Sequence, residues 1–208
     1  IKKDQLVDIG LAAILHDIGM LTVPKSVLNS AFLNKEERQY IENHTKVGVD
    51  ILSQESDFSE LTLKIISHHH ENINGSGYPK GLKGRDISVY GRMLNITCMY
   101  EALTRDRAYK KAVSPIEAVT CLIRNIDTKI DSRLTLKFIE ALGVYPPGSV
   151  ISLNNGNRVQ VKSVDAKRGY KVVPFEPVDK NEHDYTPVMI QLSDIKQLIY
   201  VNDNDVKQ

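Results

Sequence analysis

Five of the six histidines in this 208-residue chain fall between positions 16 and 70, spread over three separate amphipathic segments. That distribution limits the fold more than any other feature, because imidazoles so far apart can act together only if the segments carrying them face one another. Residues 4–16 (DQLVDIGLAAILH) place Leu6, Ile9, Ala13 and Ile14 at helical spacing. They set His16 and Asp17 at the helix C-terminal end, with Gly19 as the expected break. Asn34 followed by Glu37 has the form of a capping box, opening a helix through Leu52 that carries His44 on its middle turns. Ser59 to Glu71 reads as a third helix, with Leu61, Ile65 and Ile66 as its apolar stripe and His68, His69 and His70 at its end. The segment Asn74–Asp86 (NGSGYPKGLKGRD) is a loop whose glycines allow positive φ and close approach of backbone to a ligand.

Ser88 can cap a further helix to Leu103, along which Leu94, Cys98, Glu101 and Arg105 share one face. Ser114-Pro115-Ile116-Glu117 is another start signal, and a helix from Ser132 stops at Gly143. At Pro146-Pro147-Gly148 the composition changes. VISL, RVQVKSV, YKVVP and VMIQL are short, β-branched and partly alternating, separated by Asn-Gly and Lys-Arg-Gly turns. The expected fold is mainly α: a helical bundle over 1–145, followed by a small, barrel-like β-module over 146–208.

A hydrophobic content of 41% and a charged content of 25% are those of an ordinary soluble globular protein. The net charge of +1 provides no global field to draw nucleic acid or anionic membrane, so any phosphate binding must be local. The β-module lacks the aromatic interleaving of a nucleic-acid surface, so neither DNA nor RNA is an expected partner. No apolar run approaches the ~20 residues of a membrane span, and no signal peptide is visible. Cys98 and Cys121 sit in apolar helical patterns, which fits a reducing cytoplasm better than a disulfide framework. The chain starts at Ile1, without methionine and within a helical pattern, and so reads as a piece of something longer.

A histidine triplet alone can be a solvated helix end, and a lone histidine is more often structural than functional. Company decides here. His16-Asp17, His44, His69-His70 and the segment containing Cys98 lie on different helices, as when facing helices build a metal centre in a bundle core. Neutral imidazole is the commonest metal ligand. With carboxylate it suits zinc, iron or manganese rather than calcium. Two such ions about 3.5–4 Å apart can polarise a phosphate and generate a hydroxide nucleophile.

The four blocks HDIGM (16–20), NHTKVG (43–48), HHENINGSGYP (69–79) and EALTRDRAYKKA (101–112) resemble the HD-GYP family, a branch of the HD-domain metal-dependent phosphohydrolases. The likeness covers residues 4–142. It implies an HD-type helical bundle with a centre of two or three iron or manganese ions, zinc being possible, that hydrolyses the bacterial messenger cyclic di-GMP. By position, His16, Asp17, His44, His69 and His70 match the family's metal ligands, with His16 and Asp17 at the reacting centre. Arg107 and Lys110 match the basic pair that holds a substrate phosphate, and Tyr78 the tyrosine of the GYP element.

The departures from the family pattern matter as much. Met20 stands where the family has a lysine, Cys98 where it has an aspartate ligand, and Asn74 where it has an aspartate before the loop. Cys98 as thiolate can still ligate iron or zinc. Two readings follow. One is a cyclic di-GMP phosphodiesterase with weakened catalysis; the other is a non-catalytic sensor of that nucleotide, or a docking domain for a partner such as a GGDEF-type synthase.

Overall fold

The computed structural model describes residues 2–30, 32–106, 111–143, 145, 147–165, 169–174, 188–190 and 195–199. Among them run α1 (Lys3–Leu15), a 3-10 turn (Ile18–Thr22), α2 (Lys25–Leu28), α3 (Lys35–Leu52), α4 (Glu60–His68), α5 (Val89–Thr104), α6 (Pro115–Arg124) and α7 (Ser132–Leu142). The strands β1 (Val150–Leu153), β2 (Arg158–Asp165), β3 (Gly169–Pro174), β4 (Val188–Ile190) and β5 (Ile195–Ile199) follow. The chain divides into two compact units, residues 1–112 with 121–135, and residues 113–120 with 136–208. The element order is the mainly helical fold with a small β-module expected from the pattern, although these units do not divide at residue 145.

In the helical unit the caps form as the residues dictate. The Asn34 side chain accepts from the Glu37 N–H at 2.9 Å, and the Glu37 carboxylate accepts from the Asn34 N–H at 2.9 Å. Ser59 Oγ accepts from the Thr62 N–H at 3.1 Å and donates to Asp8 Oδ1 of α1 at 2.6 Å, so one residue starts α4 and ties it to α1. Ser88 Oγ accepts from the Gly91 N–H at the start of α5. Ala12, Leu52, Ile65 and Ile66 form the buried core, with Ile9, Leu15, Ile18 and Leu61 packed against it. Each fully buried isoleucine contributes about 1.5–3 kcal/mol.

Two expectations are corrected here. The core face of α1 is Ile9, Ala12 and Leu15, whereas Leu6 and Ile14 are 54% and 79% exposed. This helix is apolar nearly all round, so spacing alone does not select its buried face; contact with α4 does. Gly19 is not a helix breaker either. α1 ends at Leu15, and Gly19 lies buried inside the 3-10 turn, where an added Cβ would fall 2.0 Å from the His44 carbonyl oxygen and 2.7 Å from the Gly48 nitrogen. Gly19 and Gly48 let this turn lie directly on α3. By length and composition Gln5–Thr22 is apolar enough to cross a membrane. In the fold, however, it is no continuous helix, since it breaks after Leu15 and carries His16 and Asp17.

In the second unit the strands form an antiparallel sheet of order β4-β3-β2-β1-β5. Asn155-Gly156 turns β1 into β2, with Gly156 at φ +89. Ile151, Val159, Val161, Val172 and Ile190 form its core. Among the described residues, no pairing of β4 with β5 closes the sheet into a barrel.

Candidate metal centre

Asp17 stands between α1 and the 3-10 turn, and its two carboxylate oxygens face different imidazoles. Oδ2 lies 3.2 Å from His16 Nε2, while Oδ1 lies 3.3 Å from His44 Nε2 and 3.7 Å from His69 Nε2. The ligand atoms of Asp17, His44, His69 and His70 all lie within 4.8 Å of one another. Residues far apart along the chain thus converge because α4 packs on both α1 and α3, and the Gly19–Gly48 contact removes the bulk between the 3-10 turn and α3.

The rings are aimed by their own backbone. His16 Nδ1 donates to the Ala13 carbonyl at 2.9 Å, His69 Nδ1 to the Ile66 carbonyl at 2.6 Å, and His44 Nδ1 to the Ile41 carbonyl. A carbonyl only accepts, so each Nδ1 carries a proton, and each inward Nε2 is a lone pair in the neutral ring and a second N–H donor in the protonated one. The Nε2 atoms of His44 and His69 meet at 3.3 Å. In the neutral rings, lone pairs face carboxylate oxygens and each other, an arrangement that only a proton or a cation between them stabilises.

The electrostatics follow. Burial pulls the Asp17 carboxyl upward, but hydrogen bonds with His16, His44 and His69 outweigh it and hold the group well below the usual range. The hydrogen bond to Asp17, then one to Cys98, raises His16 to about 10 against the effect of burial. Burial, then the neighbouring His69 and His44, pushes His70 down to about 2, and burial pushes His69 down as well. His69 and His70 are therefore neutral near pH 7, in the form that can ligate a cation.

The third histidine of the triplet faces elsewhere. His68 Nδ1 accepts from the Ser88 N–H at 3.0 Å, at the start of α5. Burial, then the charges of Lys64 and Lys80, lowers its pKa to about 4.

The glycine-rich loop folds over the cluster because Glu71 holds it. This carboxylate is 1% exposed and accepts from the backbone N–H groups of Lys80 at 2.7 Å and Leu82 at 2.8 Å. Asn95 in turn donates to the Glu71 carbonyl at 2.9 Å. Gly77 is required where it stands, since a Cβ there would lie 2.4 Å from the His70 carbonyl oxygen and 2.3 Å from the Asn72 nitrogen. The Tyr78 ring then packs on His70, with centroids 4.8 Å apart, and edge-on to His44 at 6.2 Å. Burial first, then Glu42 and Asp17, raises the pKa of its hydroxyl.

A cavity of ≈ 1130 Å³ opens over this cluster, lined by His16, Asp17, Met20, His44, His70, Tyr78 and Cys98 among others. The Asp17 side chain is 56% exposed, so the hub of the cluster is accessible from the cavity. Asn74 is not brought to the cluster; its side chain accepts from the Ser76 N–H within the loop. Arg107 and Lys110 lie outside the described residues. Arg38, Glu42, Asn95 and Lys129 also line the cavity and escaped the sequence reading. Arg38 and Glu42 stand six and two residues before His44 on α3, off its helical face, so spacing does not suggest them; they, like Asn95 and Lys129, are brought to this wall by the tertiary fold.

The HD-domain family model matches residues 1–134. A cyclic di-GMP phosphodiesterase of Pseudomonas aeruginosa is 36% identical over 148 residues, covering 71% of this chain and 36% of that protein. The cyclic di-GMP phosphodiesterase PdeB of Borreliella burgdorferi is 28% identical over 177 residues, covering 82% of this chain and 46% of that protein. The chain thus spans less than half the length of these curated relatives. Among solved structures, the HDG"Y"P protein Bd1817 of Bdellovibrio bacteriovorus matches with a TM-score of 0.55 and 21% identity, over 65% of this chain and 43% of that one. That likeness concerns the fold.

Proposed function

This chain belongs to the HD-domain family, in its HD-GYP branch, and on that footing we propose that it is a metal-dependent phosphodiesterase domain acting on cyclic di-GMP. The observation that carries this reading is the Asp17 carboxylate, whose two oxygens face the inward Nε2 atoms of separate imidazoles. That donor set fits divalent cations. His44, His69 and His70 with Asp17 Oδ1 would hold one ion; His16 with Asp17 Oδ2, and the Cys98 thiolate beside His16, would hold a second. Imidazole and carboxylate suit iron, zinc or manganese, and a thiolate from Cys98 suits iron or zinc. When bound, such ions polarise a phosphoryl oxygen and supply a nucleophile at neutral pH.

The chain's own residues do the positioning. The backbone-anchored imidazoles keep their lone pairs aimed inward without reorganisation. Tyr78, pressed on His70 and kept protonated by burial, closes one side of the cluster and offers a hydroxyl donor to a substrate oxygen. Arg107 and Lys110 supply a guanidinium fork and a point charge for phosphate. The cysteines among the described residues are free thiols, in keeping with a reducing cytoplasm.

The test is metal analysis paired with turnover. Purified protein should carry one or two transition-metal ions per chain and open cyclic di-GMP in the presence of iron or manganese. Asp17→Ala should lose both properties. A wild-type protein free of metal under conditions that load its relatives would overturn the reading.

A second reading, nucleotide sensing or docking to a GGDEF-type partner, is favoured by Met20. It lines the cavity beside Asp17 but offers neither the charge nor the proton of the family's lysine. Losing one such electrostatic group commonly lowers a rate about a hundred- to thousandfold. Met20→Lys with Cys98→Asp should therefore raise turnover by about that factor if catalysis is merely weakened. Cyclic di-GMP binding with no turnover in either protein would favour the sensor.

A further inference from the structure

A cyclic dinucleotide carries two phosphodiesters, and the cluster around Asp17 accounts for one of them. The cavity wall holds three basic side chains among the described residues, Arg38, Arg105 and Lys129. Arg105 is taken by Glu101 at 2.9 Å. Arg38 and Lys129 have no acidic partner among the described residues, although Asp17, Glu42, Glu101 and Asp106 line the same space. The carboxylates of the lining outnumber its Arg and Lys side chains, so the wall carries no net positive field; what Arg38 and Lys129 offer an anion is two charged donor groups that no carboxylate among the described residues holds at ion-pair distance.

Both are placed by rigid elements. Arg38 stands on α3, the helix that carries His44, and lines the same cavity as Tyr78. Lys129 sits in the tight turn between α6 and α7. There the Asn125 carbonyl accepts from the N–H groups of Thr128, Lys129 and Ile130, and Asp127 adopts φ +58. The Lys129 carbonyl accepts from the Ile73 N–H at 3.0 Å, stitching this turn to the start of the glycine-rich loop. Each cation therefore reaches the cavity from backbone that is already fixed, and ordering it on a ligand costs only side-chain entropy.

We propose that Arg38 and Lys129 form an anion clamp for the second phosphodiester of a cyclic dinucleotide whose first phosphodiester lies over the Asp17–histidine cluster. The proposal rests on the phosphodiesterase reading above and adds to it a specificity device: the clamp selects ligands with two phosphodiesters over ligands with one. Arg38 contributes a planar fork, Lys129 a compact charge on a flexible stem.

The experiment titrates metal-loaded wild type, Arg38→Gln, Lys129→Gln and the double variant with cyclic di-GMP and with the linear dinucleotide GpG, which has a single phosphodiester. Metal content and thermal midpoint are measured on each. The clamp predicts wild-type metal content throughout and cyclic di-GMP binding weakened about tenfold by each single change and further by both. It also predicts a flatter salt dependence in the double variant and unchanged GpG binding. Wild-type binding of cyclic di-GMP that the double variant retains would overturn the clamp and leave the phosphodiesterase reading standing. Equal loss of cyclic di-GMP and GpG would overturn it too, placing both cations on the first phosphate. A metal-loaded wild type that binds neither nucleotide would remove the underlying reading and the clamp together.

Discussion

Three consecutive histidines do two kinds of work because successive helical residues point about 100° apart. His69 and His70 turn toward Asp17, while His68 turns toward α5 and accepts a hydrogen bond from the Ser88 N–H. His68 has a consequence for acid stability. Its folded-state pKa of about 4 lies below the ordinary 6.5, so the unfolded chain takes up a proton first as the pH falls. Its contribution is complete above 6.5, erodes as the pH drops, and levels off below about 4. The loss amounts to about 1–3 kcal/mol. His69 and His70, also pushed down, add to it. Urea unfolding of the metal-stripped protein at about pH 7.5 and about pH 5 should show this loss, and His68→Asn should reduce the slope by about one proton. The candidate ligands were legible because five of the six histidines fall between positions 16 and 70 on separate helical segments. His68 was not assignable from sequence, since its partner is a backbone N–H twenty residues away.

At the scale of elements, the contact between the 3-10 turn and α3 sets the distance from Asp17 to His44. Gly19→Ala would drive a methyl group into the His44 carbonyl, so the two elements must part. The expected result is a loss of about 1–3 kcal/mol in stability, together with reduced metal content measured on the purified variant. Gly48→Ala should be milder, as its added methyl would meet Gly19 and Ile18 only at 3.4 Å. The glycine-rich loop depends on one carboxylate. Glu71→Gln replaces an oxygen that accepts a backbone N–H with an amine that cannot accept it, and should lower stability by about 1.5–3 kcal/mol. Faster amide exchange at Lys80 and Leu82 would report the same change locally. The helix starts at Asn34, Ser59, Ser88 and Ser114 were readable because a cap is a local event. β5 was not. Ile195, Leu198 and Ile199 recur at helical spacing, and only pairing with β1 makes that segment a strand.

Over the whole molecule, two units with separate cores predict two thermal transitions, of which only the one belonging to the helical unit responds to metal. At a free-ion concentration a hundred times Kd, binding stabilises that unit by about 2.7 kcal/mol. Calorimetry before and after chelation should shift one transition downward and leave the other in place; movement of both by the same amount would contradict this partition. The mainly helical plan and the β-rich end were readable from periodicity. What lay beyond it was everything set by packing, from the buried face of α1 to the arrival of Lys129 at the cavity wall. His16, His44 and His69 are each steered by a carbonyl three residues earlier in the same chain. Every amino acid keeps its carbonyl, so no side-chain replacement at Ala13, Ile41 or Ile66 can delete the acceptor. The aim of these three rings is thereby insulated from side-chain drift at the positions that steer them. Provided the packing at Gly19 is kept, change is left to the rings and to neighbours in the cavity wall such as Cys98, where divergence in chemistry should begin.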